Sequence, residues 1–134
     1  MTIIRIAAAV IVGEDGRMLL VRKRGTTAYM LAGGKLDAGE TALEALRREI
    51  MEELGCGISG PARPLGRYSA PAANEAGHVV QAELFAVTLD GEIRPAAEIE
   101  EAVWHDPGDL DSRRLAPLAR AHALPLARAL AALR

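Results

Sequence analysis

The stretch GKLDAGETALEALRREIMEELGC, residues 34–56, determines the fold that we expect for this chain. Thr41 followed three residues later by Glu44 matches a capping box, in which each side chain satisfies a backbone N–H at the start of a helix. Gly55 is placed to end that helix, because glycine is the preferred residue just after a last helical turn. The pattern therefore predicts a helix over residues 41–54.

The predicted helix has an apolar face and an acidic face. On a wheel of about 100° per residue, one face carries aliphatic side chains, namely Leu43, Leu46, Ile50 and Leu54. Beside it, Glu49, Glu52 and Glu53 fall together, since residues three and four apart share a face. Such like charges repel, and Arg48 can neutralise only part of the group. A hard divalent cation would balance the rest, and Mg²⁺ prefers oxygen ligands of this kind.

Two interpretations of these acids stay open at this point. An ordinary amphipathic helix carries a solvated charged face without any ligand. In the second interpretation, a magnesium ion held by a few carboxylates bridges substrate phosphates while an activated water attacks in line. The preceding loop favours the second interpretation, because Gly33, Gly34 and Gly39 allow the backbone to approach a ligand closely.

Composition narrows the class of protein. Half of the 134 residues are hydrophobic and a quarter are charged, so we predict one globular domain over residues 1–134. The net charge of -2 argues against a nucleic-acid polymer as the main partner, since that binding uses clustered Lys and Arg. Cys56 is the only cysteine, which excludes an intramolecular disulfide and favours a cytoplasmic location.

The N-terminal segment predicts a strand and a turn. Residues 3–12 form a continuous apolar run, which is typical of a strand covered on both faces. Arg5 interrupts the run, and its length is far below the roughly 20 residues that span a bilayer, so we expect no membrane partner and no signal peptide. Asp15-Gly16 before the apolar residues 18–21 predicts a hairpin.

The remainder of the chain predicts more strands and a second helix. Residues 57–77 are rich in Gly, Pro and Ala and are expected to be irregular. Strands are expected at three places, over residues 65–69, 79–89 and 102–105. A helix is expected from Leu115, with Pro117 near its start and Pro125 at a kink or break. This order indicates a mixed sheet with helices packed against it.

Residues from Gly34 onward fit G-x5-E-x7-R-E-U-x-E-E-x-G-U, where U is a bulky aliphatic residue, and so resemble the signature of the Nudix hydrolases (MutT-like proteins). The matching positions are Gly34, Glu40, Arg48, Glu49, Ile50, Glu52, Glu53 and Gly55. Cys56 occupies the final aliphatic position, where we expect it to pack as a small apolar residue. Ala32 stands where the family usually has proline. The resemblance implies an α/β/α sandwich with a mixed β-sheet between helices.

The resemblance also implies a set of metal ligands. Glu49, Glu52 and Glu53 would bind Mg²⁺, for which Mn²⁺ can substitute, together with the backbone carbonyl of Gly33. One of the three acids would serve as the base. Arg48 and Glu40 would orient the helix and the loop.

Further site residues are expected outside the signature. In similar proteins an acid from the loop before the last strand joins the site, and Glu98 and Glu101 are the candidates, with plain exposed acids as the alternative. Substrate contacts are expected from four residues: Arg22, Arg24, Tyr29 and Lys35. The two arginines and the lysine would contact phosphate, and the tyrosine would stack on a base. The alternative for each of these four residues is a surface or packing role. We also expect such a role for Trp104 and for the three histidines.

The function implied by the resemblance is magnesium-dependent hydrolysis of a phosphoanhydride bond in a nucleoside diphosphate linked to another moiety. A small-molecule nucleotide is the expected partner, first a nucleoside triphosphate, with ADP-ribose or a nucleotide sugar as the rival. A non-catalytic nucleotide-sensing module on the same scaffold is a hypothesis of another class, against which the complete set of acids speaks. Whether the chain forms a homodimer is left open by the sequence.

Overall fold

Two β-sheets lie between two helical layers in the computed structural model, which describes residues 2–133. In chain order the elements are β1 (Thr2–Val10), β2 (Met18–Lys23), β3 (Gly33–Lys35), α1 (Ala42–Leu54), β4 (Gly57–Pro71), β5 (His78–Asp90), β6 (Ile99–His105) and α2 (Leu124–Ala132). One sheet has the order β3-β1-β5-β4, and the other pairs β2 with β6. Because β1 runs parallel to β5 and antiparallel to β3, the larger sheet is mixed.

β1 shows how a continuous apolar run serves two helical layers. Ala7 and Ala9 belong to the core cluster on the α1 side, whereas Ala8 and Val10 belong to the cluster under the C-terminal helix. Successive side chains of a strand point to opposite faces, so a sheet covered on both sides needs apolar residues at every position. The predicted strand is confirmed, although its first residues are not covered and Ile3 is 59% exposed.

α1 forms where the capping pattern predicted it. The Thr41 hydroxyl accepts from the N–H of Glu44, and the Glu44 carboxylate accepts from the N–H of Thr41. At the other end the N–H of Gly55 donates to the carbonyl of Met51. The predicted apolar stripe is buried against the sheet, Leu46, Ile50 and Leu54 completely and Leu43 in part. Each fully buried leucine or isoleucine contributes about 1.5–3 kcal/mol to stability.

The second helical layer packs on the opposite face of the sheets. Helical backbone begins at Pro117, and a π-helical segment, Ala119–Ala123, runs directly into α2. The N–H of Leu124 donates to the carbonyl of Ala119, which is the wider spacing of a π turn. Pro125 has no N–H to donate, so the predicted kink takes the form of this π turn rather than a break. The α/β/α sandwich is confirmed.

The predicted hairpin between β1 and β2 is confirmed only at its turn. Val12 pairs with Met18, and the N–H of Leu19 donates to the carbonyl of Ile11. Beyond that point the two strands separate, because β3 and β5 occupy both edges of β1 and β2 pairs with β6.

The expectation that residues 57–77 are irregular is wrong for most of the segment. β4 spans 15 residues there and pairs with β5 along its length. Its register shifts between Ser59 and Arg63 and again between Pro64 and Gly66. Bulges at an edge strand absorb the glycines and prolines that lower its strand propensity. The strand predicted over residues 79–89 is confirmed as β5, and that over residues 102–105 as the end of β6.

Within residues 2–133, none of the helices combines the length and the apolar character that crossing a membrane requires.

Candidate active site

A cleft of about 580 Å³ opens beside the start of α1's acidic face. Its polar lining comes from β2, β3, α1 and the residue before β6, namely Lys23, Gly33, Gly34, Lys35, Glu49, Glu53 and Glu98. Where β1 and β5 border the cleft the lining is aliphatic, and there Ile4 pairs with Val80. We call these two parts the polar end and the apolar end. Clefts of about 300–1,000 Å³ are the usual size of sites for small molecules.

The two glycines of β3 allow the sheet and the acidic helix to approach each other. Gly33 has φ +145°, and a Cβ there would lie 2.2 Å from the carbonyl oxygen of Ala7. A Cβ on Gly34 would lie 2.4 Å from the carboxylate carbon of Glu49. The backbone N–H of Gly33 donates to the Glu53 carboxylate at 3.0 Å. The diglycine therefore places two carboxylates of α1 directly against the backbone of β3.

Arg48 connects α1 to the loop before it. Its Nε and Nη2 atoms donate to the Glu40 carboxylate, both at 2.9 Å, and Nη2 also donates to the carbonyl of Lys35 at 3.0 Å. Its Nη1 atom donates to Glu49 at 2.8 Å. The guanidinium holds the pKa of Glu40 at about 2, helped by the N–H of Asp37. One arginine thus fixes both the loop and the orientation of Glu49.

Glu53 has a different environment. Its side chain is buried, and the loss of water raises its pKa to about 7, against the lowering effect of the Gly33 N–H. The negative charge of Glu49 raises this pKa further, and the ammonium of Lys23 lowers it. Burial also raises the pKa of Glu49, which Arg48 opposes. The cleft therefore contains two neighbouring acids whose charges are only partly balanced.

Glu52 lies apart from these two acids. Its side chain is 55% exposed, its nearest cationic atom is the Arg48 Nη1 at 3.8 Å, and it does not line the cleft. Across residues 2–133, no group of three or more His, Cys, Asp or Glu side chains is arranged to hold a metal ion. The carboxylates of Glu49 and Glu53 are nevertheless hard oxygen donors in excess of the local positive charge, which fits a divalent cation. Glu52 as a third ligand stays a prediction.

The two acids predicted from the loop before the last strand occupy different places, since Glu98 precedes β6 whereas Glu101 lies within it. Glu98 lines the cleft, where its carboxylate lies 3.6 Å from the Lys23 Nζ. Glu101 lies outside the cleft and accepts hydrogen bonds from the Arg22 Nε, at 3.0 Å, and from the Tyr29 hydroxyl. The placement thus favours Glu98 as the additional acid.

Of the four residues predicted to contact substrate, two line the cleft and two lie outside it. Lys35 and Arg24 line the cleft, although the Arg24 Nε is engaged by Glu100 at 3.0 Å. Arg22 and Tyr29 lie outside it. The tyrosine ring sits between two guanidinium groups, 6.0 Å from that of Arg22 and 5.5 Å from that of Arg113. Its ring is therefore part of a structural network rather than a wall of the cleft.

Comparison with known proteins assigns the family. The profile of the NUDIX domain matches residues 2–129. This chain belongs to the NUDIX family. Its structure is similar to that of a MutT NUDIX hydrolase from Burkholderia pseudomallei, with a TM-score of 0.74 and 27% identity over 96% of this chain and 98% of that one.

Two curated relatives of this NUDIX chain carry different substrate names. An ADP-ribose pyrophosphatase of Methanocaldococcus jannaschii is 32% identical over 103 residues, which cover 75% of this chain and 60% of that protein. A putative 8-oxo-dGTP diphosphatase of Bacillus subtilis is 33% identical over 106 residues, covering 78% of this chain and 67% of that protein. The matched region thus spans 60% of the length of the first relative and 67% of the second.

The residues predicted to be structural in this NUDIX chain are packed as expected. Cys56 is buried in the cluster on the α1 side, where burial raises the pKa of its thiol, and Trp104 packs against the same cluster. His105 is buried, with its Nε2 2.6 Å from the carbonyl oxygen of Asp109. His122 packs against the ring of Tyr68.

Sequence reasoning did not select two groups that line the cleft of this NUDIX chain. Lys23 belongs to the basic cluster at the end of β2, from which Arg22 and Arg24 were preferred. The alternation of β2 nevertheless indicates Lys23, because Leu19 and Val21 face α1 and Lys23 has the same parity. Asn74 and Glu75 line the cleft from the β4–β5 connection. No pattern in the sequence indicates them, because their position depends on the long register of β4 with β5.

Proposed function

We propose that this NUDIX chain uses Mg²⁺ to hydrolyse a phosphoanhydride bond in a nucleoside diphosphate linked to another moiety, and that a nucleoside triphosphate is its first candidate substrate. The observation that carries the proposal is a pair of carboxylates, the buried Glu53 and the partly buried Glu49, held against the Gly33–Gly34 backbone in the cleft. The names of the relatives, a pyrophosphatase and a diphosphatase, support the same chemistry.

Each residue of the polar end has a role in this proposal. Glu49, Glu53 and the Gly33 carbonyl would hold the ion, with Glu52 as a further ligand. Lys23 and Lys35 would bind phosphate oxygens, because their ammonium groups line the same cleft. Bound there, a divalent cation would withdraw charge from the phosphate oxygens. Arg48 would keep Glu49 in place.

An acid near the cleft also has to accept a proton from the attacking water. A general base works best when its pKa is close to the working pH. In the metal-free chain the pKa of Glu53 is raised to about 7 and that of Glu40 is held at about 2, so Glu40 is too weak a base for this role. An ion held by Glu53 would lower its pKa again. Glu98, which lines the cleft and is 79% exposed, is the other candidate base.

A second candidate function keeps the chemistry and changes the leaving group. The relative from Methanocaldococcus jannaschii is named an ADP-ribose pyrophosphatase, and its match covers 75% of this chain. Hydrolysis of ADP-ribose or a nucleotide sugar is therefore the alternative that the comparisons favour.

The test is a panel of nucleoside triphosphates, ADP-ribose and nucleotide sugars, incubated with Mg²⁺ or with EDTA and scored by product identity. We expect a nucleoside monophosphate and pyrophosphate from triphosphates, and no product with EDTA. Glu53→Gln should lose this activity, whereas Glu14→Gln, in the exposed turn between β1 and β2, should keep it. Turnover of the sugar-linked compounds alone would establish the alternative, and binding of nucleotides without any turnover would refute both.

A further inference from the structure

We infer that the apolar end of the cleft holds the nucleobase between aliphatic side chains, without aromatic stacking, and that Asn74 and Glu75 select the base by its hydrogen-bonding edge. This inference rests on the proposed function, since it places the nucleoside part of the same substrate. It adds a specificity site that lies outside the acidic helix and its glycine loop.

The walls of the apolar end are aliphatic. Ile4 and Ile6 project from β1, Val80 from β5 and Leu118 from the start of the C-terminal helical layer. Both isoleucines are only partly buried, and Ile6 and Val80 lie at the margin of the cluster under the C-terminal helical layer. A planar base inserted there would cover apolar surface, at about 25 cal/mol per Å² removed from water.

No aromatic ring among residues 2–133 lines this cleft, and the whole chain has only four Phe, Trp and Tyr residues. Phe85 and Trp104 pack on the α1 side, Tyr68 packs against His122, and Tyr29 lies between two arginines. All four rings are therefore committed elsewhere. A base in the cleft has to be recognised through its shape and its edge rather than through stacking.

The polar groups at this end come from the β4–β5 connection. Two backbone hydrogen bonds close it, from the N–H of Ala72 to the carbonyl of His78 at 3.0 Å and from the N–H of His78 to the carbonyl of Glu75 at 3.1 Å. The side chains of Asn74 and Glu75 are exposed, line the cleft and make no hydrogen bond with any other residue in 2–133. They are free to bind a ligand.

The chemistry of these two side chains suits a base edge. A carboxamide both donates and accepts, whereas a carboxylate only accepts. Bases differ in the order of donors and acceptors along their edges, so neighbouring groups of these two kinds distinguish among them. Asn74 is the only asparagine in the chain. An alkyl group in the cleft would offer no hydrogen-bond partner to Asn74 or to Glu75.

The experiment measures relative kcat/KM by competition among triphosphates with different bases, for wild type, Asn74→Ala and Glu75→Gln. Inorganic tripolyphosphate serves as a probe without a base, and Glu14→Gln, at the opposite end of the larger sheet, is the matched control. We expect Asn74→Ala to reduce discrimination between bases about 10-fold, the size of one lost hydrogen-bonded contact. Turnover of tripolyphosphate should not change.

The outcomes separate this inference from the proposed function. If Asn74→Ala and Glu75→Gln leave the ratios among bases unchanged while Glu53→Gln abolishes turnover, the base site is refuted and the hydrolase stands. Better turnover of an alkyl diphosphate than of any nucleotide would also refute it, since the aliphatic walls would then hold an alkyl chain.

A binding measurement decides the inference even if wild type hydrolyses no nucleotide. Nucleoside monophosphates titrated into the full chain should shift the backbone amide signals of residues 72–75 and of Leu118, and Asn74→Ala should weaken that binding. Shifts confined to other parts of the chain would overturn the placement of the base.

Discussion

Glu40 and Glu53 belong to one continuous motif, yet they have opposite environments. Glu40 receives two hydrogen bonds from Arg48, and its pKa is held at about 2. Glu53 is buried with one backbone N–H as its hydrogen-bond donor, and its pKa is raised to about 7. The same residue type is thus fully charged in one place and able to exchange a proton near neutrality in the other.

The difference indicates that these two glutamates of the motif have separate roles. The Arg48 network ties the loop to the helix, which positions Glu49 and the diglycine. The burial of Glu53 costs stability but keeps a carboxylate available for a cation or a proton. Four measurements test this separation of positioning residues from cleft acids, beginning with the largest effect that we expect.

Glu53→Gln should reduce kcat/KM by at least about 100-fold, because it removes a negative charge that would hold the cation, and with it the stabilisation of charge at the phosphate, without changing the shape of the side chain. Glu40→Gln should lose less, since the amide oxygen still accepts from Arg48. Steady-state kinetics of the two variants with the best nucleotide substrate measure the contrast. Equal losses would mean that both glutamates act only by positioning. Glu52→Gln, run in parallel, should also lose about 100-fold if it is a ligand.

Glu53 should also make the metal-free protein less stable as the pH rises. A raised pKa means that the folded chain binds this proton more tightly than the unfolded chain, whose Glu53 has the ordinary value of 4.5. Its contribution is therefore complete below about 4.5 and is lost as the pH passes through about 7. Glu53→Gln should remove this loss and add up to about 3 kcal/mol at pH 8.

Urea unfolding in EDTA at several pH values between 4 and 8 gives this free energy directly. Glu52→Gln is the control, because its side chain is largely exposed on the same helix. A slope that is identical in wild type and Glu53→Gln would contradict the buried, proton-binding state of Glu53.

Glu98→Gln should lower kcat/KM about 10-fold more than Glu101→Gln, a difference of about 1.4 kcal/mol in transition-state stabilisation. Glu98 lines the cleft near Lys23, whereas Glu101 is occupied by Arg22 and Tyr29. The reverse order would show that the Glu101 network reaches the substrate after all. Thermal unfolding distinguishes a loss of stability in Glu101→Gln from a loss of chemistry.

Thr41→Ala should have the smallest effect, a loss of about 1 kcal/mol of stability, because it removes the N-terminal cap of α1 and touches no cleft residue. Chemical denaturation measures this loss, and kcat should stay close to wild type. Thr41→Ser is the matched control, since its hydroxyl can still accept from Glu44. A large fall in kcat would mean that the helix start also controls the acids.

The sequence predicts α1 well because the determinants of the helix are local. Capping at Thr41, the aliphatic stripe and the spacing of the acids all lie within a few turns of one helix. The burial of Glu53 depends on contact between α1 and β3, which a helical wheel does not contain. β4 was missed for a related reason, since pairing with β5 overrides the low strand propensity of its glycines and prolines.

Residues outside the motif are positioned by contacts that the sequence pattern does not contain. Arg22 and Tyr29 were expected to contact substrate on the basis of residue type, but their partners in the fold are each other and Glu101. The position of Lys23 in the cleft follows from the alternation of side chains along β2. That alternation was applied only to its two neighbours, Arg22 and Arg24. The position of Asn74 depends on the long pairing of β4 with β5, which places the turn between them beside the cleft. No local sequence pattern indicates this position.

The irregular edge of the larger sheet also limits how copies of this chain can associate. β4 is the outer strand, and its proline residues have no amide hydrogen to offer a neighbouring strand. Its bulges twist the backbone away from the straight alignment that edge-to-edge growth requires. We therefore expect resistance to amyloid-like stacking along this side, and no association of two copies by edge-to-edge pairing of their β4 strands.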